Sequence, residues 1–232
     1  MIVLEDLSEL EQEAQKLKLA ALGRLTANLA HEIRNPLSAV GHAAQLLAED
    51  VPRDGPASRL TRIIEDNVAR LNRMVEDVLL LNRRDRLVRE PIVLAAFLAD
   101  FLDEFQGCER LPDGLIEGEI EGGVVAAFDR THLHQILWNL LRNGLRHCSR
   151  APGSIRIGAR QVGEKCLVEV YNDGAPIAPD LVARLFEPFF TTDSRGTGLG
   201  LHIARELAEA NQAQLSCLAR DEGALFRLTC DT

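Results

Sequence analysis

The 232 residues are 46% hydrophobic, 26% charged and only 4% aromatic, and 26 basic against 35 acidic side chains leave a formal net charge of −9. This balance fits one or two packed domains and excludes a disordered chain. No stretch approaches the roughly 20 apolar residues of a membrane span, and an acidic surface opposes the counterion-driven affinity on which nucleic-acid binders rely. Membrane contact and nucleic-acid binding are therefore not expected of this segment. The five cysteines, Cys108, Cys148, Cys166, Cys217 and Cys230, show no metal-ligand spacing and are expected to be buried thiols in a reducing cytoplasm.

The chain opens on Ile2-Val3-Leu4, a β-like run that ends at Glu5-Asp6 and passes into helix. Residues 1–16 are expected to form a linker from an upstream domain, the alternative being a frayed helix start. Leu22, Leu25, Leu29, Ile33, Val40, Ala43 and Leu47 then recur at helical spacing. After the breaker cluster from Asp50 to Pro56 the same period resumes with Leu60, Ile64, Leu71, Val75 and Val78. Two helices joined by a short turn form an antiparallel hairpin. Such a hairpin cannot cover its own apolar stripe, so a homodimer closing a four-helix bundle is expected over residues 17–90.

From Pro91 to Thr232 the pattern becomes mixed. A short helix is expected at Phe97, Leu98, Phe101 and Leu102, strands at Leu115 to Ile120 and Val124 to Phe128, and a helix from Leu133 to Leu145. Strands follow at Ile155 to Ala159 and Cys166 to Tyr171, then a helix from about Leu199 to Ala210 and two last strands near Leu215 and Phe226. Strands and helices without regular β-α-β alternation favour an α+β sandwich.

The run Ala30-His31-Glu32-Ile33-Arg34-Asn35-Pro36-Leu37 carries the sharpest chemical signal. At about 100° per residue, His31 lies about 200° around the helix from Leu29 and Ile33 about 40° from it, so His31 faces out and Ile33 in. A solvent-facing imidazole is substantially neutral near neutral pH and offers an unprotonated nitrogen as a nucleophile. Glu32 is placed to accept from the other ring nitrogen. Asn35 lies one turn further on the same face, and Pro36 is expected to bend the helix there.

This run resembles the H-box of bacterial sensor histidine kinases, and the wider segment from Lys18 to Leu37 is most similar to those of the nitrogen-regulation and pilin-regulation type. The resemblance implies that His31 is the phosphoacceptor, Glu32 its acid/base partner, and Asn35 the residue that supports dephosphorylation of a partner. It also implies ATP as donor, with Mg²⁺, in a second domain of the histidine kinase, Hsp90 and topoisomerase type over residues 91–232.

No phosphate-binding loop of the G-x-x-x-x-G-K-[ST] kind is present, and the only lysines, Lys16, Lys18 and Lys165, lie far from any glycine cluster. Four other segments occur instead in the order of that ATP-binding domain. In Asn139-Leu140-Leu141-Arg142-Asn143-Gly144, the two asparagines stand one helical turn apart and present amide oxygens, which are hard ligands suited to Mg²⁺. The resemblance gives the metal to Asn143 and places Arg146 and His147 among phosphate- and base-contacting side chains. Tyr171-Asn172-Asp173-Gly174-Ala175-Pro176 resembles the D-x-G-x-G box. In one register Asn172 stands where the family has its adenine-reading aspartate and Pro176 replaces the second glycine; in the other, Asp173 reads the base. Phe186-Glu187-Pro188-Phe189-Phe190 resembles the F-box, its alternative being an aromatic core patch. Last comes Gly196-Thr197-Gly198-Leu199-Gly200-Leu201, opening a helix whose N-terminus favours phosphate. Arg195, in the short lid before it, is the expected γ-phosphate cation.

The resulting expectation is the cytoplasmic catalytic portion of a larger sensor histidine kinase, whose partner is the receiver domain of a response regulator. Two rivals remain: a noncatalytic dimeric adaptor with a degenerate ATP site, and a phosphatase-dominant enzyme using Asn35.

Overall fold

The computed structural model describes residues 27–50, 55–83, 87–192 and 196–232. The Ile2 to Leu4 run, the linker at 1–16, Leu22, Leu25 and Arg195 lie outside these residues, as do the side chains of Leu29, His31, Glu32 and Val78. The chain divides into two compact units, one holding the hairpin with Glu187–Leu199, the other Arg84–Phe186 and Gly200–Thr232.

In the first unit, α1 (Ala27–Asp50) and α2 (Pro56–Arg83) form the expected hairpin. Pro56 opens α2, where its fixed φ suits the first helical position and its missing N–H costs nothing. Pro36 lies inside α1 and withholds a donor from the carbonyl of Glu32. The two helices meet through small or short side chains. Ala44 and Thr61 are buried, and a Cβ added to Gly41 would come within 3.4 Å of Val68. The larger apolar residues lie elsewhere: Leu47 is 55% and Leu60 61% exposed, with Ile33, Val40, Ile64 and Leu71 exposed beside them. This corrects the expected inward facing of Ile33, and Ala44 rather than Ala43 takes the buried place. Apolar periodicity states how much of a helix is to be covered, not which neighbour covers it.

The second unit begins with β1 (Arg89–Val93), α3 (Leu94–Glu109), β2 (Ile116–Ile120), β3 (Val125–Asp129) and α4 (Arg130–His147). It continues with β4 (Ile155–Val162), β5 (Lys165–Asn172), a single turn α5 (Pro179–Val182), α6 (Gly200–Ala210), β6 (Gln214–Leu218) and β7 (Ala224–Asp231). Five strands form a sheet in the order β2-β4-β5-β7-β6, parallel only between β2 and β4, and β1 pairs antiparallel with β3 in a separate ribbon. Helices and a mixed sheet make the expected α+β sandwich. Along β5 the alternate residues Cys166, Val168, Val170 and Asn172 are buried, the period of two that a one-faced sheet requires.

α3 is not short: it runs for 16 residues because Phe105 continues the stripe of Phe97 and Phe101. These three rings are buried, and Trp138 of α4 meets Phe105 edge-on at 5.0 Å while stacking on His134 at 5.5 Å. Each ring removed from water contributes roughly 1.5–3 kcal/mol. Only Cys166 and Cys230 are fully buried; Cys148 and Cys217 are half-buried and Cys108 is exposed on the last turn of α3. The expectation of five buried thiols thus fails where a cysteine falls on the outer side of its element.

Candidate functional site

His31, Glu32 and Asn35 all fall on α1. Asn35 is exposed, and beside it Arg34 reaches Glu76 of α2 at 3.4 Å, an exposed pair contributing at most about 1 kcal/mol.

α4 starts where Asp129 caps it. The Asp129 carboxylate accepts from the N–H of His132 at 3.0 Å and from that of Val88 at 2.9 Å, while its own N–H donates to Asn211 Oδ1 at 2.8 Å. Asn211 Nδ2 in turn donates to His132 Nδ1 at 2.9 Å. Burial alone would raise the Asp129 pKa, but the N–H groups of Val88 and His132 and the His132 ring hold it below the usual carboxylate value. Burial pushes His132 down against the opposing pull of Asp129, which keeps Nδ1 available as an acceptor.

Further along α4 the two asparagines differ. Asn139 Nδ2 donates to the Gly200 carbonyl at 3.0 Å, and its Oδ1 receives Gln135 at 3.4 Å, so its amide fastens α4 to the start of α6. Asn143 is half-buried, and no hydrogen bond engages its side chain among the described residues. The pair therefore does not present two equivalent oxygens; Asn143 is the one left open to a cation. Arg146 and His147 are exposed on the last turn, where basic groups complement the negative end of the helix dipole.

Below α4 lies the end of β5. Asn172 is paired with Ile155 on one side and Ala224 on the other, is 3% exposed, and its Nδ2 has no hydrogen-bond partner among the described residues. Asp173 is exposed and turned away: Ser149 donates to it through its N–H at 2.8 Å and through its hydroxyl. The Ser149 hydroxyl first, and then its N–H, lower the Asp173 pKa. Gly174 follows, where a Cβ would collide with the His147 carbonyl oxygen and come within 2.8 Å of Asn172 Nδ2. Only glycine permits that approach.

Phe186 is buried edge-on to Phe226 under the Arg205 guanidinium, and His202 Nδ1 donates to the Phe186 carbonyl at 3.1 Å. In the first unit, Phe189 is exposed and Gly198, at φ +71°, fits against the Phe189 backbone where no Cβ has room. The Thr197 hydroxyl donates to Asp77 of α2 at 3.0 Å and accepts from the Leu199 N–H at 3.3 Å. Gly196 and Leu199 are buried, and Gly200 opens α6.

A purine nucleotide and its divalent ion fit these residues on two counts: a buried amide with an unmet donor, and an open amide oxygen of the hard type that Mg²⁺ takes in ones or twos. Ser149, Asp77 and the Asp129–Asn211 pair were not singled out from the sequence. Each is joined to its partner across a long stretch of chain, and the one local signal, the polar Asn211 just past an apolar helix, was passed over.

Residues 21–87 match the His Kinase A (phospho-acceptor) domain and residues 128–232 the histidine kinase-, DNA gyrase B- and HSP90-like ATPase. The chain is 44% identical to Sensor protein kinase PilS of Pseudomonas aeruginosa over 99% of this chain and 44% of that protein. To Sensor histidine kinase ZraS of Escherichia coli O157:H7 it is 31% identical, over 94% of this chain and 48% of that protein. It thus spans less than half the length of these relatives. Among solved structures, full-length ShkA in complex with AMPPNP superimposes with a TM-score of 0.66 at 25% identity, covering 88% of this chain and 44% of that one. Histidine kinase ThkA in complex with response regulator protein TrrA gives 0.63 at 26% identity, covering 97% and 66%. A phospho-acceptor domain followed in the same chain by this ATPase domain, with relatives similar across both, means that the chain belongs to the sensor histidine kinase family.

Proposed function

We propose that this segment autophosphorylates His31 from ATP with Mg²⁺ and passes the phosphoryl group to an aspartate in the receiver domain of a response regulator, acting as a cytoplasmic homodimer. The supporting observation is the succession, in one chain, of His31-Glu32-Ile33-Arg34-Asn35-Pro36 on a helical hairpin and of a buried amide beside Gly174 under α4. A bond forms between an imidazole nitrogen and the γ-phosphorus as the bond from that phosphorus to the bridging oxygen breaks, and ADP leaves. Glu32 accepts the hydrogen bond of the other ring nitrogen and raises the basicity of the attacking one. Asn172 and Gly174 receive the base, and Asn143 holds the ion. Arg146, His147, Arg195 and the N–H groups from Gly196 to Gly200 offset phosphate charge. Mg²⁺, when bound, neutralises charge on the phosphate oxygens. Asn35 orients the water that hydrolyses the regulator's phosphoaspartate.

The exposed Leu47, Leu60, Ile64 and Leu71 favour a second hairpin as their cover, each such side chain being worth roughly 1.5–3 kcal/mol when buried. A noncatalytic adaptor is the second reading, favoured by Asn172 and Pro176 in place of an aspartate and a glycine. Incubation with γ-labelled ATP and Mg²⁺ separates the two. Label that is acid-labile, base-stable and absent from His31→Ala, with nucleotide binding and oligomeric state retained in that variant, supports the kinase. No label on the parent chain leaves the adaptor, and label persisting in His31→Ala removes His31 from the reaction.

A further inference from the structure

Among the described residues no carboxylate is buried at the end of β5. Asp173 is turned outward into the grip of Ser149, and the buried side chain at the end of β5 is the neutral amide of Asn172. Its Nδ2 is shielded from solvent and lacks a hydrogen-bond partner among the described residues. An unmet donor in such a position costs stability until a ligand supplies an acceptor.

The two ends of an amide are a donor and an acceptor, and a half-turn about the last side-chain bond exchanges them. A carboxylate only accepts. It suits the 6-amino group of adenine and faces the 6-carbonyl of guanine or hypoxanthine with like partial charge. An amide suits both. Toward adenine, Oδ1 accepts from the amino group and Nδ2 donates to ring N1; toward a 6-oxopurine, Nδ2 donates to the carbonyl oxygen and Oδ1 accepts from the N1–H. Either arrangement satisfies the donor that the protein leaves unmet, and neither places two acceptors together. No fastening fixes one orientation, because no hydrogen bond engages the Asn172 side chain among the described residues.

We infer that Asn172 makes this a purine site of relaxed base choice, which takes 6-oxopurine nucleoside triphosphates alongside ATP. This rests on the nucleotide-binding reading above and specifies its substrate class. Asn172 is the specificity-determining residue, and it exerts its effect on binding before any phosphoryl transfer.

Calorimetric titration of the whole chain with ATP, GTP and ITP, at one fixed Mg²⁺ concentration, tests it. ITP carries the 6-carbonyl without the 2-amino group of guanine and so isolates the atom that Asn172 reads. The expected ITP Kd lies within about tenfold of the ATP Kd, and Asn172→Asp widens that ratio by about tenfold to a hundredfold, tightening ATP and weakening ITP. An ITP Kd more than tenfold above that of ATP in the parent chain overturns the inference, as does a ratio that a folded Asn172→Asp leaves unchanged. The parent-chain measurement stands whatever the variant's folding, which thermal unfolding checks. Binding of ATP without ITP defeats the relaxed choice alone, whereas failure of all three nucleotides to bind defeats it together with the nucleotide site.

Discussion

Ser149 holds Asp173 by both carboxylate oxygens, its N–H on Oδ1 and its hydroxyl on Oδ2, so the acidic member of the Asn172-Asp173 pair is occupied by a residue of the loop that follows α4. Breaking that grip should loosen the loop and leave the base pocket intact. Asp173→Ala is expected to keep the ATP Kd within about threefold of the parent value, while Asn172→Ala weakens it by about tenfold, the loss of a buried hydrogen bond. Paired calorimetric titrations check this, and the opposite pattern would give the base contact to Asp173.

The two asparagines of α4 should separate stability from metal dependence. Asn139→Ala removes the bond to the Gly200 carbonyl and is expected to cost about 0.5–1.5 kcal/mol in urea unfolding without moving the Mg²⁺ concentration for half-maximal rate. Asn143→Ala should leave the unfolding midpoint nearly unchanged and shift the Mg²⁺ dependence to higher concentration. Asn143→Asp retains an oxygen ligand and should fall between. A Mg²⁺ dependence untouched by either Asn143 change would take this residue out of the metal site.

Asn35 is exposed on α1 one turn beyond His31, a place from which it reaches an incoming partner rather than the core. Asn35→Ala is expected to slow dephosphorylation of the phosphorylated regulator by at least tenfold while changing autophosphorylation by less than threefold, given a role in orienting water worth about 1.4 kcal/mol or more. Separate rate measurements of the two steps test it; equal losses would tie Asn35 to the kinase step.

Two buried histidines set an acid limit on the second unit. Burial lowers the pKa of His202, which the Phe186 carbonyl only partly offsets, and burial lowers that of His132 likewise. A histidine whose folded pKa lies below its unfolded value binds protons more readily when unfolded, so the stability it permits is complete above about pH 6.5. That stability declines as pH falls from there toward the depressed folded values. Unfolding midpoints measured from pH 7.5 to 5 should therefore drop, and His202→Gln should flatten the slope. A slope identical in the variant would show that His202 does not titrate in this window.

The chemistry-bearing runs were legible because each is local: a histidine, its carboxylate neighbour and a proline within one helical segment, or glycines opening a helix. The hairpin's inner face was not legible, because Ile33, Val40 and Leu60 carry the strongest apolar pattern yet stay uncovered within one chain, while Gly41, Ala44 and Thr61 make the contact. α3 was expected short since its stripe is interrupted by Asp103 and Glu104 before Phe105 resumes it. The difference between Asn139 and Asn143 depends on Gly200, a residue distant in sequence, and no spacing rule announces such a bond.

Trp138 and Tyr171 are the chain's sole tryptophan and tyrosine. Trp138 is the residue directly before Asn139 on α4, held edge-on to Phe101 and Phe105, and Tyr171 is the residue directly before Asn172 on β5. The aromatic packing that anchors α4 thus doubles as an optical reporter. Indole and phenol emission from the unlabelled protein arises from these two positions, one on α4 and one on β5. Selective excitation of the indole follows α4 alone, so binding beside Asn143 can be followed in a cuvette without attaching a dye.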